Sequence, residues 1–313
     1  MNWAMANRLG HIAATKAHGR LGVDVSAYPV NVSKAIDDAG LALMRRPMPR
    51  LFGVYIEANG NRGVMVNSNM TRATRRHTAA HELGHHEFEH GADPGRECSI
   101  EVPTPATAGA SPNRAKGRIG AQGQVEMCAE AFATWFLMPR RAVTAAMETL
   151  GIQRVSSPVD SYRLSLLLGT THRATCRHLV NLRMVAQDDC ESWARVQPGR
   201  LKRALAAEGG VTLATTFDMD VWDLRNVTGA RVEASVGDLL VLPAALTVAA
   251  KGVAGLAVVA AGDSTVTVEC VAAVNLTDLL GSTAGFTVVV HDRPFGLYLP
   301  AVDLSLGEVE LTS

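Results

Sequence analysis

The chain has 313 residues, 47% of them apolar, enough for a folded protein of two or three domains with ample core. Thirty acidic and thirty basic side chains leave no net charge, so nothing at the global level demands a nucleic acid or a membrane surface. Its five cysteines, at positions 98, 128, 176, 190 and 270, are odd in number and lack a CxxC pair, which speaks against a structural zinc knuckle and for a reducing, cytoplasmic setting.

Residues 1 to 20 lack the basic-then-apolar order of a signal peptide and are expected to form an amphipathic first helix. Residues 51 to 57 and 63 to 67 are short runs of β-branched and aromatic character separated by Asn59-Gly60, a strong turn signal. They predict a hairpin, whose free edge can receive an extended peptide as an added strand.

The next segment carries HELGH, from His81 to His85. On a helix, four residues turn through roughly 400°, so His81 and His85 share a face and can grip one metal ion. Glu82 is rotated by about 100° and reaches a water on the metal rather than the metal, as the general base of an H-E-x-x-H site. A second such motif, HEFEH, follows at once from His86 to His90. A five-residue shift turns its face by roughly 140°, so the two motifs cannot share a site. The first is preferred, because it follows Ala79-Ala80 and holds Leu83 and Gly84, whereas His90 abuts Gly91, a helix stop.

Residues 92 to 124, rich in Pro, Gly, Ala, Thr and Ser, read as a loop or lid. Its tip carries Arg114, Lys116 and Arg118, either a solvated charge run or a contact for an acidic partner. From Val125 to Pro139 an apolar helix is predicted, with Glu126 and Glu130 on one face. A catalytic zinc needs three protein ligands and an open fourth position. One of these carboxylates can be the third ligand, while the other orients a ligand histidine from outside.

These two helices carry a family resemblance. Arg76 to His85 resembles the R-x-T-x-AHELGH helix of the ImmA/IrrE metallopeptidases, and Glu126 to Pro139 resembles their E-x-x-A-N-x-FA-x-x-LLMP helix. The similarity reaches roughly from residue 20 to 187. It implies that Glu126 is the third zinc ligand, with Mn²⁺ or another divalent ion accepted by the same donors. Glu130 stands where asparagine is usual. The resemblance further implies a cytoplasmic endopeptidase that cuts a helix-turn-helix transcriptional repressor and so regulates stress-response or mobile-element genes.

A helix from about Ala142 to Leu150 comes next, followed by a helix-turn-helix-like pattern over residues 161 to 183, with Arg173, Arg177, His178 and Arg183 on its second helix. This geometry can contact DNA or form a simple helical hairpin. A short helix from about Arg200 to Ala207 precedes a region that reads as β, with strands at 231–236, 238–242, 265–271 and 286–290. The apolar stretch from Leu239 to Ala261 is interrupted by Pro243 and Lys251 and is read as two buried strands, not a membrane span.

The expected fold class is therefore α+β. A zincin-like metallopeptidase domain (1–155) precedes a helix-turn-helix-like helical subdomain (156–198) and a C-terminal mainly-β domain (199–313). The expected site has Glu82 as catalytic base, His81, His85 and Glu126 as zinc ligands, and Glu130 and His86 in supporting contact. His77, His86 and Tyr162 are candidate oxyanion donors. The rival reading is a zinc-stabilised DNA-binding or ligand-sensing regulator without protease activity.

Overall fold

The computed structural model describes residues 2–58, 60–89, 121–227, 229–280 and 285–292. The N-terminal helix α1 (Trp3–Arg20) begins at Asn2, whose side chain accepts the Met5 N–H as an N-cap. After α2 (Val32–Asp38) come three strands: β1 (Ala42–Arg46), β2 (Gly53–Ala58) and β3 (Asn61–Asn67). The expected hairpin is present, with β2 antiparallel to β3 and Gly60 at φ +79° in the turn. Strand β1 was not foreseen. It adds parallel to β3, giving the order β1-β3-β2 and leaving β2 at the edge among the described residues.

Helix α3 (Arg72–Glu87), capped by the Thr71 side chain, packs across β2 and β3. Helix α4 (Ala121–Leu137) lies between α3 and α1 and touches both. Both crossings depend on glycine. A Cβ on Gly84 would sit 3.0 Å from Phe132 Cδ1 and 3.2 Å from Ala129 Cα, and one on Gly10 only 2.6 Å from Ala131 Cβ and Phe132 N. Val64, Val66, Ala80, Leu83, Phe132 and Phe136 fill the space between sheet and helices.

Helices α5 (Arg140–Thr149), α6 (Pro158–Leu168), α7 (His172–Asn181), α8 (Gln187–Ala194) and α9 (Pro198–Glu208) follow. The pair α6 and α7 turns at Gly169, in the left-handed region at φ +63°, and α7 is capped by Thr171. Of the four basic residues read onto the second helix, His178 is buried, its Nε2 2.9 Å from the Met138 carbonyl oxygen, and Arg183 falls beyond the helix, which ends at Asn181.

The described residues that follow are β-rich, as expected. One sheet has the order β5 (Ala230–Ser235), β10 (Gly285–His291), β9 (Val274–Leu280). The other runs β4 (Val221–Asp223), β6 (Leu239–Pro243), β8 (Thr265–Cys270), β7 (Leu256–Ala261). The long apolar stretch gives two strands, β6 and β7, joined by a 3₁₀ turn at Ala244–Leu246 and the helix α10 (Thr247–Lys251), but only β6 is buried, while β7 is largely half-buried or exposed beyond Leu256. No described helix is long and apolar enough to cross a membrane. A single apolar cluster runs from Ala14 to Val290, so the C-terminal sheets pack into the same core as the helices. The fold is α+β.

Candidate metal centre

Helix α3 holds His81, Glu82 and His85 on its buried side, each less than a tenth exposed. Helix α4 brings Glu126 to them across the Gly84 crossing. His81 Nε2 and His85 Nε2 are 3.1 Å apart, and Glu126 Oε2 is 3.2 Å from the first and 3.7 Å from the second. Two imidazole nitrogens facing each other this closely need a proton or a cation between them. Tetrahedral coordination at about 2.0–2.1 Å sets donor atoms roughly 3.3 Å apart, so this triangle has the size that one small divalent ion requires. Burial alone would raise the Glu126 carboxyl, but the bonds and charges of His81 and His85 outweigh it and hold the group well below the usual carboxylate range. It is therefore ionised and able to bind a metal ion.

Glu82 stands beside this triangle and outside it. Burial pushes its carboxyl up, and the Glu126 charge adds to that push against the opposing pull of His81, His85 and the Tyr55 backbone N–H. Its Oε1 is buried with no hydrogen-bond partner among the described residues. A buried oxygen left in that state costs about 1–3 kcal/mol unless a further group binds there. The same oxygen lies 3.2 Å from where a Cβ on Gly53 would stand, so the edge strand β2 meets the catalytic candidate at a position that only glycine fits without displacement.

Glu130, one turn beyond Glu126, places Oε2 2.8 Å from His77 Nε2 and 3.6 Å from His81 Nδ1. Burial raises its carboxyl, yet His77 and then His81 hold it well below its ordinary value. His86 faces elsewhere, with Nδ1 3.2 Å from Tyr55 Oη. Tyr162 is also elsewhere: its hydroxyl donates to Asp220 Oδ1 at 3.0 Å, within the core formed with α9, β4 and β6. Sequence reasoning missed Tyr55, which reaches both Glu82 and His86; a strand aromatic carries no signal of this kind. The second motif is broken by the fold. Helix α3 ends at Glu87, Glu87 pairs with Arg20, and Glu89 has φ +53°; His90 lies outside the described residues, as does most of the 92–124 loop with its basic tip.

Beside His85 opens a cavity of about 550 Å³, lined by Arg20, Tyr55, Glu57, Arg62 and His86 among others. Residues 37–157, from α2 through α5, match the family model described as the IrrE N-terminal-like domain, Peptidase_M78. Over those residues the chain is similar to this peptidase family. The match bears out the resemblance to ImmA/IrrE metallopeptidases over that stretch and leaves the C-terminal region unmatched. No curated protein matches the chain.

Proposed function

We propose that the chain is a zinc-dependent endopeptidase, with His81, His85 and Glu126 as metal ligands and Glu82 as general base. The observation that carries this reading is the donor triangle of 3.1, 3.2 and 3.7 Å with the unpartnered Glu82 Oε1 beside it. Bound zinc supplies Lewis acidity and lowers the pKa of a water from 15.7 to about 7. Glu82 takes the proton of the attacking water and returns it to the leaving amine. Its raised proton affinity suits that exchange, and the Tyr55 N–H fixes the carboxylate in place. Glu130 orients His81 through Nδ1, and β2 offers its free edge to an extended stretch of substrate beside Glu82.

The substrate we propose is a cytoplasmic protein partner, a helix-turn-helix repressor whose cleavage releases stress-response or mobile-element genes. The division at residues 155 and 198 belongs to the same proposal, with 1–155 carrying the chemistry. The regulator reading loses ground at α7, where His178 is buried and Asp188, Asp189 and Glu191 on the neighbouring α8 are exposed. Comparing new protein N-termini in cells producing the wild type or Glu82→Gln tests the proposal. A terminus within a DNA-binding repressor, present only with the wild type, is expected; identical sets of termini would remove the peptidase reading.

A further inference from the structure

Helix α4 has a second charged neighbourhood, nine residues and roughly 13 Å along its axis from Glu126. There a cavity of about 770 Å³ is lined by Arg8 and His11 of α1, Trp135 of α4, Arg140 and Arg141 of α5, and Arg183 just beyond α7. Among the described residues, no aspartate or glutamate lines it. The guanidinium groups of Arg8, Arg141 and Arg183 make no hydrogen bond or ion pair among the described residues. In a chain whose acidic and basic residues balance, four arginines around one cavity, with no carboxylate among its described lining residues, are a local excess of positive charge that suits an outside anion.

Two further features point the same way. Arg140 and Arg141 occupy the first turn of α5, where the helix dipole disfavours cations, and Pro139 gives that turn no side-chain cap. Arg140 is nevertheless held there, bonded to the Leu182 carbonyl at the end of α7. The wall is also rigid: His11 stacks on Trp135 with ring centroids 3.9 Å apart and planes 19° from parallel, and Trp135 Nε1 donates to Asn7 Oδ1 at 2.9 Å.

We propose that this cavity binds a small phosphate-bearing anion at a site separate from the metal centre. Guanidinium forks match phosphate oxygens in pairs, and several converging cations suit a dianion better than a single peptide carboxylate. The volume lies in the range of small-molecule sites. Duplex DNA fits less well, because the acidic residues of α8 flank α7 and would repel its phosphates. The proposal stands whether or not the chain is a peptidase.

The test uses the metal-loaded full chain, titrated at low salt with AMP and with inorganic phosphate, and followed by calorimetry and tryptophan fluorescence. Saturable binding is expected, weakened at least about tenfold by the paired change Arg8→Gln and Arg141→Gln. Arg173→Gln, an exposed arginine of α7 outside the cavity, should leave it unchanged. Both replaced arginines are exposed, so the fold is expected to survive, and a thermal melt checks this. If AMP binds more tightly than phosphate and loses that advantage in Trp135→Leu, the ligand is a nucleotide; equal affinities make it free phosphate. Four results would overturn the proposal: no saturable binding of either probe up to about 10 mM, binding indifferent to the arginine pair, binding lost in His81→Ala instead, or capture of duplex DNA alone by the same arginines.

Discussion

The two ends of α4 present opposite electrostatic situations. Around Glu126 the charges are matched within the chain: Glu126 lies 3.2 Å from His81 Nε2 and Glu130 2.8 Å from His77 Nε2, and His81, His85 and Glu126 bring three donor atoms together. Around Trp135 the cations face a cavity with no carboxylate among its described lining residues. Proximity alone does not make a site complete. The first cluster organises its own ligands before anything binds, whereas the second needs its counter-charge delivered from outside.

The sharpest way to break this comparison is to remove one function from the metal end at a time. Glu82→Gln is expected to lower peptide cleavage by at least about 10²–10⁴ fold while leaving the metal bound. Glu126→Ala and His81→Ala should lose metal and activity together, and His90→Ala should lose neither. Mass-spectrometric metal content and cleavage assays on the four variants decide it; full activity in Glu82→Gln would remove the general base, and metal lost with His90 would move the site to the second motif.

That experiment rests on residues legible in the sequence, and the reason is geometric. Histidines at i and i+4 are tied to one face by helix geometry alone, so the residues named by the motif come together wherever α3 packs. Glu126 needed a second helix: the sequence offered Glu126 and Glu130 on one face, and only the family resemblance chose between them. Gly53 and Tyr55 were not readable, because the approach of β2 to Glu82 is set by how a strand lies across a helix. The same limit hid β1, whose short run ending in Arg45-Arg46 gives little periodicity, and α10, since an unbroken apolar run does not declare whether it coils or extends. His178, grouped by sequence with the arginines of the second helix, is instead buried and packs edge-on to Trp135, a contact that spacing alone does not reveal.

That burial gives the cationic end a pH signature. Burial lowers the His178 pKa from 6.5 to about 4, helped by His11 and Arg140 against the bond to the Met138 carbonyl. Between those values the unfolded chain takes up a proton that the folded chain refuses, so stability falls as pH drops from 6.5 toward 4. The gap corresponds to roughly 3 kcal/mol. His178→Gln, which can still donate to Met138, should flatten the slope; urea denaturation at a series of pH values measures it. Equal slopes for variant and wild type would show that His178 is not the group responsible.

The helix crossings separate the two ends mechanically. Gly84→Ala sets a methyl against Phe132 and Ala129 and should cost about 1–3 kcal/mol, with weaker metal binding because Glu126 is moved away from the histidines. Gly10→Ala meets backbone at 2.6 Å and should cost at least as much, but its damage falls between α1 and α4, beside the arginine cavity. Metal affinity measured at a temperature where both variants are folded separates the two effects. If Gly10→Ala weakened metal binding as much as Gly84→Ala, the ends of α4 would not be mechanically independent.

The smallest expected effect concerns Glu130, which stands where the family pattern has asparagine. Its carboxylate lies on the side of His81 away from Glu126, 3.6 Å from Nδ1, and closer still to His77. A carboxylate on the non-ligating nitrogen fixes the tautomer that leaves Nε2 free for metal and makes that nitrogen a stronger donor. An amide can occupy the same place beside Nδ1 without the charge. Glu130→Gln should therefore keep the geometry and weaken metal affinity by no more than about tenfold, whereas Glu130→Ala should reach about 10–100 fold. Competition with a chelator of known affinity reads both. Equal losses in the two variants would mean that charge, not orientation, is what Glu130 supplies, and the metal end would then depend on electrostatics as fully as the arginine end does.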